Sequence, residues 1–292
     1  MRFWGVVAVA VSAFGFGVMP IFARYAYAAG TDVIALLFLR FFIAAIVMTL
    51  VMIFSRRAWP SRRNTLILAA MGGLGYVCQS FSFFSALHYA SAGLVALLLY
   101  LYPILVAVFG ALLFKEPLGI KRLTAVVVAF LGTALTVWGA LDGQPMGIAL
   151  GALSAVLYCA YILSGSRVLA SEEPYACGTV VMIAAAAVFG MLVILTNPGF
   201  PTTPLAWGSV VMIAVLSTVV AMIGFFVGVR WLGASDASTL STLEPVVTII
   251  AAAIFLHESL TFTQLVGGAI ILAAVVALTR MRDDRASAKH TT

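Results

Sequence analysis

The sequence predicts an all-α integral membrane protein: ten transmembrane helices arranged as two inverted five-helix repeats, with both termini on the cytoplasmic side. Three observations carry this. Of 292 residues, 64% are hydrophobic and only 9% charged, more apolar surface than a water-exposed domain can cover. Apolar segments of about 20 residues, the hydrocarbon thickness at helical rise, recur along the whole chain. Finally, residues 83–118 align with residues 225–260 without a gap, at an offset of 142.

A backbone in lipid must satisfy its own hydrogen bonds, so each apolar segment is expected to be helical. The runs are too long and too uniformly apolar for the alternating strands of a membrane barrel. Ten spans follow, at roughly 3–23, 33–54, 65–87, 92–113, 122–140, 147–168, 176–195, 206–231, 236–256 and 263–280. The first begins behind a single Arg2 and runs into "PIFARYAYAAG" without a cleavage site, so it reads as a retained span. The connections are short, and no stretch is long enough for a soluble domain. The chain divides into a first repeat at 1–141, a second at 142–280, and a tail at 281–292 expected to be disordered and cytoplasmic.

Charge orients the spans. With the N-terminus inside, 14 of the 16 Lys and Arg residues fall on the cytoplasmic side, including Arg56, Arg57, Arg62, Arg63, Lys121 and Arg122. Arg24 alone lies outside, and Arg40 lies within a span. This is the positive-inside pattern. It also disposes of a nucleic-acid reading of the net charge of +6, because the basic residues sit at span ends. Cys78, Cys159 and Cys177 form neither a disulfide framework nor a metal-ligand spacing, and no metal or cofactor is expected.

The repeat is read from "FFSALHYASAGLVALLLYLYPILVAVFGALLFKEPL" set over "FFVGVRWLGASDASTLSTLEPVVTIIAAAIFLHESL". Pro103 falls on Pro245 and Glu116 on Glu258; Gly5 falls on Gly147 at the same offset. Each repeat has five spans, an odd number, so the second copy enters the membrane from the opposite side. Inverted repeats of this kind recur in secondary transporters, whose halves exchange conformations to open on each side in turn.

Polar residues are unevenly shared among the spans. Span 1 carries Ser12 and Phe16 near Pro20. Span 3 carries Tyr76, Gln79, Ser80 and Phe83, and span 4 Tyr100 and Tyr102. Span 6 carries Ser154, Tyr158, Tyr161 and Ser164, span 8 Ser217 and Thr218, and span 9 Ser238, Ser241, Thr242 and Thr248. Spans 2, 5, 7 and 10 are nearly featureless in their middles, apart from Arg40. Six inner helices around a central cavity, with four outer ones, follow. Isolated Ser and Thr often do no more than join helices, contributing about 0.6 kcal/mol; stripes that include Tyr and Gln point to a lined cavity.

Pro103 and Pro245 remove helical bonds to the carbonyls of Leu99 and Ser241. Interrupted helices at matching depths of two halves point to a substrate site. Tyr100 and Tyr102 are too deep to belong to an interfacial belt; they either face a ligand or bond to the freed carbonyls. Glu244 is the costliest residue, at about 2.5–3.5 kcal/mol for a carboxylate at a helix centre. Three roles are open to it: binding a substrate amine, carrying a coupling proton, or pairing with Arg40. Glu116 and Glu258 sit at span ends, where they cap or gate.

These residues also carry a resemblance. Two five-helix units, each with Pro in helix 4 and Glu at the following turn, resemble the EamA-type permeases of the drug/metabolite transporter superfamily. The matching stretches are "LYPILVAVFGALLFKEPL", "LEPVVTIIAAAIFLHESLTFTQLVGGAIILAAVVAL" and "LLFLRFF". The resemblance implies an exporter of small metabolites, often amino acids, in a bacterial inner membrane, the alternative being a multidrug or other metabolite permease of the same fold. The aromatic interior looks most like the amino-acid exporters of the YddG type. Tyr102 departs from symmetry, because the second copy has Glu244 there. The expected partners are a small-molecule substrate and the lipid bilayer, with a monomer plausible. An intramembrane enzyme fits poorly, since His88, His257 and His290 all lie outside span centres and no nucleophile motif is present. A channel would need a charge ring or carbonyl filter that the sequence does not show.

Overall fold

The computed structural model describes residues 2–113, 120–138, 144–169, 172–232, 237, 240–241, 243–259 and 261–290. Among them every regular element is helical. The chain enters as α1 (Arg2–Gly17) and α2 (Met19–Ala28), one path interrupted at Val18. Pro20 causes the interruption, since it has no N–H for the Phe16 carbonyl. Gly30, at φ 83°, turns the chain in a region that side chains avoid. It continues as α3 (Val33–Phe54), then α4 (Arg62–Ala70), a π-helical segment at Met71–Tyr76, and α5 (Val77–Ala86). Next come α6 (Ala92–Leu99), α7 (Tyr102–Leu113) and α8 (Ile120–Trp138).

The second half follows as α9 (Pro145–Leu169), α10 (Pro174–Thr196) and α11 (Pro204–Ala214). A second π-helical segment at Val215–Val220 leads into α12 (Ala221–Leu232), followed by α13 (Leu243–Phe255) and α14 (Phe262–His290). Four helix starts carry side-chain caps. Ser61, Ser91, Glu173 and Thr203 accept from the amides of Asn64, Leu94, Ala176 and Ala206.

Seven of these paths are long and apolar enough to cross a membrane: Phe3–Ala28, Val33–Phe54, Arg62–Ala86, Ala92–Gly110, Pro145–Gly165, Pro174–Thr196 and Pro204–Leu232. Three shorter apolar helical stretches, Leu123–Leu135, Leu243–Phe255 and Phe262–Ala277, occupy the places of the fifth, ninth and tenth spans read from the sequence.

Element positions repeat along the chain. Helices begin at 62 and 204, and again at 120 and 262, each pair at the offset of 142. Each half also carries one π-helical segment, within two residues of register. The halves interleave. Helix α1 packs on α12, and in return α5 packs on α9, while α3 faces α10 and α8 faces α14. The largest core cluster draws Leu36, Phe41 and Phe84 from the first half and Phe189, Val210 and Ile213 from the second.

The loops tie α3 and α10 together at both ends. At one end Asp32 Oδ2 accepts from Gly199 N at 2.6 Å, and Asp32 N donates to Gly199 O at 3.0 Å. At the other, Arg57 pairs with Glu173 and lies 3.9 Å above the Tyr175 ring. Beside that pair, Glu172 accepts from Asn64 Nδ2 at 2.6 Å and from Ser61 N at 3.1 Å. These donors, Asn64 first, hold the Glu172 carboxyl below its ordinary range.

The backbone of 281–290 continues α14 as helix to His290. Arg, Met, Ala and Lys in "RMRDDRASAKH" are good helix formers, so the helix has no local reason to stop at the last apolar residue. Span 2 is two-faced. Phe42, Ile46 and Leu50 are exposed on one stripe, and Arg40 and Phe41 are buried on the other. Glu258 acts as a cap: its carboxylate accepts from Ala92 N at 3.0 Å and Gly93 N at 3.4 Å, at the start of α6. Glu116, Ser238 and Thr242 lie outside the described residues.

Candidate functional site

The site is built where α6 ends and α7 begins. Helix α6 closes at Leu99, with Tyr100 N bonded to Ala96 O at 3.1 Å and Leu101 N to Leu98 O at 3.2 Å. The new helix starts at Tyr102, which places Pro103 in a first turn, where its missing N–H would have no helical partner in any case. In the second half Glu244 and Pro245 lie in the first described turn of α13, and Ser241, four residues before Pro245, is helical as well. A carboxylate there is favoured by the helix dipole.

Pro245 leaves the Ser241 carbonyl without its helical donor. The Tyr100 hydroxyl donates to that carbonyl across the interface between the halves. Tyr100 is 4% exposed and Ser241 8%. One of the two tyrosines of "LYLYP" therefore replaces the bond that the second proline removed. The Ser241 hydroxyl donates back to Ala237 O at 3.0 Å.

From Tyr100 a string of rings crosses the protein. Tyr100 meets Tyr102 at 5.9 Å, Tyr102 meets Tyr158 at 4.7 Å, and Tyr158 stacks on Tyr161 at 6.1 Å. Tyr161 meets Tyr76 at 5.3 Å, and Tyr76 stands edge-on to Phe41 at 5.6 Å. Such offset and edge-to-face pairs suit the ring quadrupole. Tyr76, Tyr102, Tyr158 and Tyr161 lie mid-span, and each retains some accessible surface.

An ionisable side chain stands near each end of the string. Glu244 interacts with the Tyr100 hydroxyl and electrostatically with Tyr102 and Tyr158. Its turn is held against the end of α1. Thr248 Oγ1 donates to Gly17 O at 2.7 Å, and a Cβ at Gly17 would stand 2.8 Å from the Glu244 carbonyl. Only glycine permits that approach. At the other end is Arg40, 2% exposed. Its Nε donates to Thr218 Oγ1 at 3.0 Å, and Thr218 in turn donates to Ile213 O at 2.9 Å. Its guanidinium lies 4.9 Å from the Phe41 ring centre and 5.2 Å from that of Phe84, and it interacts with Tyr76.

Desolvating an ion costs several kcal/mol even after relaxation. Each ring contributes about 2 kcal/mol when desolvated, and a hydrogen bond from a charged donor about 1.5–3 kcal/mol. This shell is therefore of the size needed to hold the cation. Among the described residues Arg40 makes no ion pair, so the pairing with Glu244 left open by the sequence is not formed.

The remaining candidates are placed differently. Gln79, Ser80 and Phe83 are buried; Ser80 donates to Gln79 Oε1 at 3.3 Å, and Phe83 meets Phe84 at 5.6 Å. Ser217 is buried with its hydroxyl unpartnered, as is Ser12. Pro103 is half-buried and Pro245 buried. The sequence reading gave no weight to Phe41, Phe84 and Phe189, which surround or support Arg40. One signal was available: the offset of 142 sets Thr218 on Tyr76, and both meet Arg40. A groove of about 560 Å³ lies elsewhere, between α3 and α10, lined by Phe38, Phe42, Ile46, Leu50, Ile183 and Gly190. Its walls are apolar, as a lipid-facing surface requires. Among the described residues no group of three His, Cys, Asp or Glu side chains gathers as a metal site would need.

Long apolar helices, prolines at equivalent positions in the two halves and a buried polar string define a multi-pass membrane protein of the transporter class. The EamA-like transporter family model matches the chain twice, over residues 3–138 and 145–280, so the chain belongs to that family. It is 26% identical to the uncharacterized transporter YcbK of Bacillus subtilis, covering 86% of this chain and 85% of that protein. It is 25% identical to an uncharacterized transporter of Archaeoglobus fulgidus, over 97% of this chain and all of that one. An uncharacterized inner membrane transporter of Salmonella typhimurium, YicL, is 24% identical over 75% of this chain and 74% of its own length. A protein crystal structure superposes with a TM-score of 0.68 at 19% identity, covering 96% of this chain and 98% of that one, a likeness of fold.

Proposed function

We propose that this chain is a secondary transporter that exports small organic metabolites, amino acids including aromatic ones, by alternating access at a central cavity. It would lie in a bacterial inner membrane with ten spans, five per inverted repeat, and both termini in the cytoplasm. The observation that carries the reading is the meeting of α6–α7 with α13 over the tyrosine string, beside Glu244. Tyrosines deep in the protein that keep accessible surface are what an internal space requires. Broken helices at one depth of two repeats build such sites because they free backbone polar groups without exposing them to lipid. The tyrosine faces accept a flat apolar side chain and attract an ammonium group. The Glu244 carboxyl, at the Tyr100 end of the string, is an acceptor for such a group.

The test is counterflow of radiolabelled L-phenylalanine in proteoliposomes, with and without a pH gradient. The Glu244→Gln variant keeps the shape and removes the charge. The expected result is exchange by the wild type and at least a tenfold loss in the variant, at an unchanged melting temperature. A wild type that exchanges no amino acid ends the reading. Wild-type flux with a lowered melting temperature assigns Glu244 to structure.

A further inference from the structure

Arg40 has a setting that the transport reading does not use. Among the described residues it is the single cation placed deep among the packed helices, and no carboxylate there neutralises it. Arginine has five N–H donors and no acceptor. Here the Nε donor is committed to Thr218, whose own proton goes to Ile213 O, so the oxygen lone pair is aimed at the guanidinium. The rings of Phe41 and Phe84 lie near the guanidinium. Tyr76 hydrogen-bonds to the guanidinium as well, and the N–H groups of Nη1 and Nη2 that these partners leave are the kind of donor that receives a carboxylate.

The surroundings are built from both halves. Tyr76 and Thr218 are equivalent under the repeat, and each lies at or within a π-helical segment, Met71–Tyr76 and Val215–Val220. Such segments re-aim side chains and recur at functional sites. The cation itself is not duplicated, since Met182 occupies the position equivalent to Arg40. Among the described residues the packed interior therefore offers one positive charge, a match for one monoanion.

We propose that Arg40 is the anion-binding residue of the transport site, its terminal guanidinium nitrogens receiving the carboxylate of the substrate. The proposal rests on the transporter reading and narrows the substrate class to carboxylate-bearing metabolites. Phe41 and Phe84 orient the guanidinium, and Thr218 fixes its rotation.

The test compares acid with amide. The full chain, purified in detergent, is titrated with L-phenylalanine, L-phenylalaninamide and phenylpyruvate, and binding is read as a melting-temperature shift. The same compounds compete in proteoliposome counterflow. In the wild type, L-phenylalanine is expected to bind at least tenfold more tightly than its amide. Arg40→Gln removes that preference and leaves amide binding in place. Arg40→Lys keeps the charge without the fork and retains about a tenth of the preference. Thr218→Val, which keeps the charge and unpins Nε, falls between them.

An acid-over-amide preference that survives Arg40→Gln overturns the proposal. So does failure of Arg40→Gln to fold while Arg40→Lys and Thr218→Val leave the preference intact. Phenylalanine transport with no preference for acid over amide preserves the amino-acid reading and sinks the anion site. Arg40-dependent binding of phenylpyruvate but not of phenylalanine does the reverse. A wild type that binds none of these carboxylates at millimolar concentration also sinks it.

Discussion

Removing one oxygen atom from Tyr100 tests the joint between the two halves. Its hydroxyl donates to the Ser241 carbonyl, which Pro245 has deprived of a helical donor. Tyr100→Phe leaves that carbonyl buried and unpaired. An unsatisfied buried acceptor costs about 1–3 kcal/mol, whereas hydrogen bonds between membrane helices average about 0.6 and reach about 1.7 kcal/mol. Both partners are at least nine-tenths buried, and no backbone N–H from position 245 can replace the donor. The upper part of the membrane range applies, about 1.5 kcal/mol. At roughly 2–4 °C per kcal/mol for a chain approaching this size, the melting temperature in detergent falls by about 3–6 °C.

The discriminating experiment is a double-mutant cycle with Pro245→Ala. That substitution restores an N–H that can close on Ser241 O, so the hydroxyl becomes dispensable. Tyr100→Phe in that background should cost only a few tenths of a kcal/mol, a coupling of about 1 kcal/mol. Equal losses in both backgrounds would refute the reasoning. The hydroxyl would then serve Glu244 instead, and the same cycle with Glu244→Gln would show the coupling.

Further outcomes follow from other features. With the C-terminus in the cytoplasm, as proposed from the charge distribution, a phosphatase reporter fused after Thr292 should be inactive; activity in the periplasm overturns the topology. Gly72→Val should destabilise by about 1–3 kcal/mol, because a Cβ there would stand 2.7 Å from Val181 O and 2.8 Å from Val181 Cα, both backbone atoms that cannot turn aside. Gly208→Ala is the control, with nothing within 4 Å. Similar melts for these two variants would mean that the π-helical segment and α10 can separate freely.

Much of this was legible in the sequence because it is periodic or local. Span length comes from hydrocarbon thickness, and the offset of 142 needs only the residues themselves. The break before Pro103 and the carbonyl left without a helical donor before Pro245 follow from the missing N–H. The partner of Tyr100 was not legible, because Ser241 lies 141 residues away and in the other half. The setting of Arg40 was hidden for the same reason. Its neighbours come from α3, α5, both π-helical segments and the residues around them, and nothing in "VLSTVV" announces a widened helical turn. Glycines in "MGGLGY" hint at close approach and no more.

The crosswise packing of α1 on α12 and α5 on α9 has a consequence for synthesis. When residue 86 has entered the bilayer, the surface that α5 will cover belongs to a helix not yet translated. The first half must wait in lipid with its mating faces open, and those faces are shaped to fit a relative of itself. Translation that stops after the first half leaves a fragment whose readiest partner is another copy of the same fragment, so pairing of such fragments is the failure expected of a stalled chain.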